Sequence, residues 1–225
     1  MERYERNMSM LSEDENKKLS SFKVCVVGSG GLGGYVIEML GRLGIGHITA
    51  VDSDVFDETN LNRQILSTKN TIGKSKVMVA KERMDEVNDT ITLNPIYKRL
   101  DGKNGEEILK GHDLVIDALD SIDTRLLLQH ICKELGIPLI HGAIAGWYGQ
   151  VCTILPGDDT LNIIYKKSGN GLEKKIGNPS FTPALVASIQ VSEALKVLMN
   201  KGELIRKKLL YIDLLENEYI TLNLE

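Results

Sequence analysis

Residues 28–34, Gly28-Ser-Gly-Gly-Leu-Gly-Gly34, satisfy G-x-G-x-x-G at Gly28, Gly30 and Gly33. The motif falls between an apolar, β-branched run and a stretch spaced like a helix. The first glycine permits a tight turn, the second lets backbone amides approach a phosphate, and the helix N-terminus adds partial positive charge. Asp52 closes the next apolar run, where a carboxylate accepts hydrogen bonds from ribose hydroxyls. Close helix–sheet packing is the alternative use of such glycines, and a dinucleotide would be seated in the same way. Beyond Asp52 a long polar loop carries Asp54, Asn60 and Arg63, with Lys76 following in Gly73-Lys-Ser-Lys76. Cations beside a glycine loop suit a triphosphate, whose departing pyrophosphate needs neutralisation. A solvated charged loop is the other reading of the same residues.

These groups need a frame that brings them to one edge. Residues 22–27, 47–52, 91–97, 114–118, 138–141 and 150–155 read as strands, the sixth reached by a short Gly-rich turn. Residues 35–43, 74–87 and 124–135 read as helices between them. The alternation predicts an α/β fold: a Rossmann-like, doubly wound, mainly parallel sheet with a C-terminal antiparallel hairpin extension. A helix is expected over 183–200, with Leu185, Ile189, Leu195 and Leu198 at helical spacing. Residues 209–214 and 218–224 then form a hairpin. The expected organisation is a helical arm over 1–21, a nucleotide-binding Rossmann-like core over 22–155, a crossover loop over 156–181, and a helix with hairpin over 182–225 belonging to the same domain. A structureless loop as long as 156–181 is expected to be functional or mobile.

The chain has 225 residues, 42% of them hydrophobic and 26% charged, and a net charge of −4. That is ample for a buried core and is ordinary globular composition. There is no unbroken apolar run of about 18 residues, so no membrane association is expected. The polar N-terminus implies a cytoplasmic protein, and the acidic balance argues against nucleic-acid binding. Cys25, Cys132 and Cys152 are too few and too scattered for a disulfide scaffold or a zinc site. His47, His112, His130 and His141 fall at strand or helix boundaries and read as structural.

The combination of GSGGLGG, DxDxxxxxNLNRQ, GKSK and LVIDALD resembles the ThiF/MoeB/HesA family of adenylyltransferases, relatives of ubiquitin-activating enzymes. The likeness runs from about residue 3 to the C-terminal hairpin, and NLNRQ is its most specific block. It implies that the loop with Gly28, Gly30, Gly31 and Gly33 cradles ATP, with Asp52 on the ribose and Asp54 beside it. Asn60 and Arg63 would grip phosphates, and Lys76 would neutralise charge developing at the α-phosphorus. Asp120 would help hold Mg²⁺; its other use is as an acid before the helix that follows, a task Asp123 could also fill. Arg6 matches an arginine that reaches a neighbouring subunit's site, which implies a homodimer. The implied reaction is adenylation of the C-terminal Gly-Gly carboxylate of a small ubiquitin-like sulfur carrier. Another carboxylate, on a modified tRNA base or a peptide, and an NAD-dependent oxidoreductase are the competing readings.

The sequence departs from the family at its cysteines. Many members bind zinc through two CxxC pairs; none occurs here, so no zinc is expected. Members that carry sulfur covalently use a cysteine on the crossover loop, and residues 156–181 contain none. Chemistry on this chain is therefore expected to stop at the adenylate, with a separate sulfur donor. Lys166, Lys167, Lys174 and Lys175 of the loop would guide an acidic carrier.

Overall fold

A computed structural model describes residues 2–166 and 176–224. Strands β1 (Lys23–Val27), β2 (His47–Val51) and β4 (Leu114–Asp117) are short apolar runs with almost every side chain buried. That is the texture of parallel strands covered on both faces by helices. With β3 (Thr92–Ile96) and β5 (Leu139–Ala145) they form the parallel half of the sheet, in the order β3-β2-β1-β4-β5. β3 tolerates Pro95 because it is an edge strand paired only with β2. β6 (Tyr148–Ile154), β7 (Lys208–Asp213) and β8 (Glu218–Asn223) extend the sheet antiparallel from β5.

Alternate side chains of β1 enter two cores. Val24 and Val26 pack under α2 (Gly31–Leu43), α3 (Lys76–Val87) and α7 (Phe181–Met199), while Cys25 and Val27 pack under α4 (Gly105–Leu109) and α5 (Ile122–Leu135). At the N-terminus, α1 (Glu13–Leu19) begins with a capping box between Ser12 and Glu15.

Four details depart from the sequence-based expectation. Helix α2 begins at Gly31, four residues early, because the low-propensity glycines are themselves its first turn. The crossover loop is not structureless throughout: α6 (Thr160–Ile164) occupies its first half. Strand β5 runs on to Ala145, so His141 lies inside a strand and fully buried, and His130 lies within α5 rather than at its end.

Helix α7 also turns a different face inward. It is long and apolar enough to cross a membrane by length and composition alone, yet it packs on the sheet through Thr182, Val186, Gln190 and Glu193, all fully buried. Leu185, Ile189 and Leu195 are only half-buried. Hydrogen bonds decide the rotation. Gln190 Nε2 donates to the Asp117 carbonyl at 2.8 Å, and Glu193 Oε2 accepts from Thr153 Oγ1 and the Ile205 amide at 2.5 and 2.8 Å.

Candidate active site

The order of the strands reverses between β1 and β4, and a cleft opens there at the carboxyl ends of β1, β2 and β4, as expected at a topological switch point. It has a volume of about 1360 Å³. Gly28, Gly30, Gly31, Asp52, Asp54, Asn60, Arg63, Lys76 and Asp120 all line it. Gly33 and Arg6 do not.

The glycines divide into two kinds. Gly28 has φ +100°, and a Cβ there would overlap the Ala118 carbonyl; a Cβ on Gly33 would overlap the Gly28 carbonyl. Those two are required for packing of turn, helix and β4. Gly30 is different, because a Cβ there would meet nothing closer than Gln64 Nε2 at 3.6 Å. Its side of the turn faces the cleft. As N-cap of α2 it supplies no side-chain acceptor, leaving first-turn amides for an anion. A cradle that a side chain would fill, under uncapped amides, fits a nucleotide's phosphates.

Asp52 is held by two amides, Ser29 N–H to Oδ2 at 2.7 Å and Asp54 N–H to Oδ1 at 2.9 Å. Burial pushes its carboxyl above the usual range, against the pull of the Ser29 amide and of Lys76. Each oxygen keeps a lone pair for a ribose hydroxyl. Lys76 is largely buried in the first turn of α3 and forms an ion pair with exposed Asp54, Nζ to Oδ2 3.0 Å.

Asn60 lines the cleft, but its amide is committed to the loop. Oδ1 accepts from the Asp57 amide at 3.2 Å, and Nδ2 donates to Asp57 Oδ1 at 3.0 Å. It shapes the turn that presents Arg63. The Arg63 guanidinium donates only locally among the described residues, to the Thr59 carbonyl and Asn62 Oδ1 at 2.8 and 2.9 Å.

A model of the ThiF family matches residues 4–225. The chain belongs to the ThiF family. Among its relatives, the SAMP-activating enzyme E1 of Haloferax volcanii is 33% identical over 98% of this chain and 84% of its own. The sulfur carrier protein adenylyltransferase of Thermus thermophilus is 33% identical over 97% of this chain and 85% of its own. Escherichia coli MccB, solved with ATP, shares the fold with a TM-score of 0.82 at 20% identity, over 99% of this chain and 71% of that one.

In this ThiF-family chain Asp120 stands in the turn between β4 and α5. The helix is capped by Ser121, whose Oγ accepts from the Thr124 amide at 3.4 Å, and Asp123 occupies the first turn. Asp120 is therefore not needed as a cap, and it has no hydrogen-bond partner among the described residues. No group of three metal-ligating side chains occurs among the described residues either. One exposed carboxylate facing a phosphate cradle fits Mg²⁺, which takes one or two protein carboxylates and completes its shell with phosphate oxygens and water.

Arg6 sits at the other end of the molecule. Its segment packs on the C-terminal end of α2, where Asn7 Nδ2 donates to the Leu43 carbonyl at 3.3 Å. The 13 residues of α2 separate it from the cleft by roughly 20 Å. Lys166 is exposed; Lys167, Lys174 and Lys175 lie outside the described residues.

Lining residues that sequence reasoning missed include Gln64, Lys98, Arg99, Arg125 and Asn178. Gln64 had a signal, being the last residue of the NLNRQ block; beside the cradle its Oε1 and the Ser29 Oγ are buried without a partner among the described residues. Lys98 and Arg99 follow β3 at the carboxyl edge, where ligands bind. All three cysteines are buried. Burial pushes the Cys25 and Cys152 thiols up, and Cys132 up to about 12. None has the lowered pKa of a reactive thiol.

Proposed function

We propose that this chain is an adenylyltransferase that activates the C-terminal Gly-Gly carboxylate of a small ubiquitin-like sulfur-carrier protein with ATP, releasing pyrophosphate. One observation carries the proposal: the cleft joins an open glycine cradle at Gly30 to the cations Arg63 and Lys76 and the uncommitted carboxylate of Asp120. The names of the two relatives matched over nearly the whole chain agree with it.

The chemistry is positional and electrostatic. The carrier's carboxylate is already ionised at neutral pH and needs no general base. It attacks the α-phosphorus in line, the bond to the bridging oxygen breaks, and pyrophosphate leaves. The α2 amides hold phosphate oxygens, Asp52 orients the ribose, and Lys76 meets charge growing at the α-phosphorus. Arg63 steadies the leaving group. Asp120 would hold Mg²⁺, which would supply further neutralisation of phosphate charge.

The same reading makes the protein a cytoplasmic homodimer in which Arg6 serves the partner's cleft. It places the carrier against α7, the β7–β8 hairpin and the crossover loop, and leaves sulfur delivery to a separate donor, since the buried thiols offer no acceptor for an acyl group.

The test is ATP–pyrophosphate exchange with and without a small protein ending in Gly-Gly. Carrier-dependent exchange is expected. Tight NAD binding with no exchange on any carboxylate would overturn the proposal.

A further inference from the structure

Beneath the turn that carries Asp120 lies a set of polar side chains drawn from β4, α5, β5, β6 and the end of α6. Asp117, Arg125 and His141 are almost fully buried. The set has one consistent direction. Tyr165 Oη accepts from Arg125 Nη1 at 3.2 Å and from Gln150 Nε2 at 2.9 Å. Its own proton points to His141 Nε2, 3.2 Å away, a nitrogen that Gln150 Nε2 also approaches at 3.1 Å. His141 in turn donates Nδ1–H to Asp117 Oδ2 at 2.7 Å. Burial lowers the pKa of His141 and raises that of Tyr165 to about 12, so both are neutral near pH 7.

Asp117 and Arg125 grip one peptide segment. Asp117 Oδ1 accepts from the Leu119 amide at 2.9 Å, and Arg125 Nη2 donates to the Leu119 carbonyl. Leu119 is thus clamped at its N–H and its C=O, and the next residue is Asp120. The other terminus is Tyr165, directly after α6 (Thr160–Ile164) in the crossover loop. Its ring also packs edge-on to His141, with centroids 5.8 Å apart, and lies beneath the Arg125 guanidinium.

We infer that Tyr165, acting through His141 and Arg125, is a positioning residue for Asp120 that ties the seating of α6 to the metal-binding edge of the cleft. Nothing in the adenylation chemistry requires these buried groups to touch substrate. Their geometry gives them a different task, because a displacement of Tyr165 removes the oxygen that Arg125 Nη1 and Gln150 Nε2 share and relaxes the clamp on Leu119. Buried sets of this kind hold one arrangement when fully satisfied and lose it when one member goes. The inference rests on the adenylation reading for the assignment of Mg²⁺ to Asp120.

The test is calorimetric ATP binding to the full chain, with Mg²⁺ and with chelator. Tyr165→Phe keeps the ring and removes the hydroxyl. It is expected to weaken ATP binding about tenfold with Mg²⁺, the low end of the loss when an outer-shell partner of a metal ligand is removed, and to leave metal-free binding unchanged. His141→Asn retains a donor for Asp117 and deletes the acceptor for Tyr165, so it provides an independent second variant with the same signature. In an Asp120→Asn background neither substitution is expected to cause further loss. Equal weakening with and without Mg²⁺, or additive losses over Asp120→Asn, would overturn the inference. Absence of exchange by the wild type would instead sink the adenylation reading, since the binding comparison is made without any carrier.

Discussion

Lys76 Nζ lies 3.0 Å from Asp54 Oδ2, with the lysine side chain 9% exposed and the aspartate 65%. A buried cation is thus balanced by a carboxylate that can swing into solvent, and phosphate oxygens can take its place. Lys76→Ala is expected to reduce ATP–pyrophosphate exchange by about 10²–10³-fold, the loss typical of one preorganised charge on the transition state. Asp54→Asn is expected to lower the stability of the ATP-free protein by about 1 kcal/mol, with saturating ATP closing most of that gap. Urea unfolding with and without ATP reads both states. A gap that ATP leaves unchanged would show that phosphate does not replace Asp54.

Gly30 and Gly33 belong to one motif and predict opposite phenotypes. A Cβ at Gly30 has room in the protein but stands in the cradle, whereas at Gly33 it overlaps the Gly28 carbonyl. Gly30→Ala should fold with a near-normal melting temperature and lose ATP binding. Gly33→Ala should fail to fold or melt far lower. Thermal melting beside calorimetric ATP titration separates them, and normal ATP affinity in Gly30→Ala would remove this turn from the phosphate site.

Arg6 lies a helix length away from its own cleft, so any catalytic use of it crosses between chains. Arg63→Ala alone is expected to abolish exchange without altering stability, because the guanidinium bonds only to its own turn among the described residues. Mixing Arg6→Ala with Arg63→Ala subunits then leaves one intact cleft in each mixed dimer, and about a quarter of wild-type activity should return at random pairing. Exchange that stays absent after demonstrated subunit mixing counts against this arrangement.

Glu38 predicts an acid-dependent loss of stability. Burial raises its pKa, but hydrogen bonds from Arg83 and Arg42 outweigh burial and hold the carboxyl below its ordinary 4.5. A depressed folded-state pKa means the contribution is fully present above about 4.5 and is lost as pH falls through the lower folded-state value. Glu38→Gln should therefore cost about 1 kcal/mol at pH 7 and progressively less below pH 4. Urea titrations at several pH values check the slope; a constant difference across that range would contradict the pairing.

Much of this was legible in the sequence for identifiable reasons. β1, β2 and β4 are buried on both faces, so their apolar runs are nearly continuous, and Asp52, Arg63 and Lys76 follow elements whose ends face one edge. What stayed hidden depends on tertiary contacts. The second half of β5, Gly142 to Ala145, carries one β-branched residue and did not read as strand, so the interior position of His141 was lost with it. The inward face of α7 is partly polar, and a pattern of leucines cannot reveal hydrogen bonds to β4 and β6. Asn60 shows the limit at the site itself. The motif named it correctly as a cleft residue, while its amide is engaged with Asp57.

The burial of Cys25, Cys132 and Cys152 makes the folded protein a blank background for thiol chemistry. A single cysteine introduced at an exposed position such as Lys166 would be the one accessible thiol, with no native cysteine replaced. A fluorophore or spin label there could follow the crossover segment while nucleotide and carrier bind.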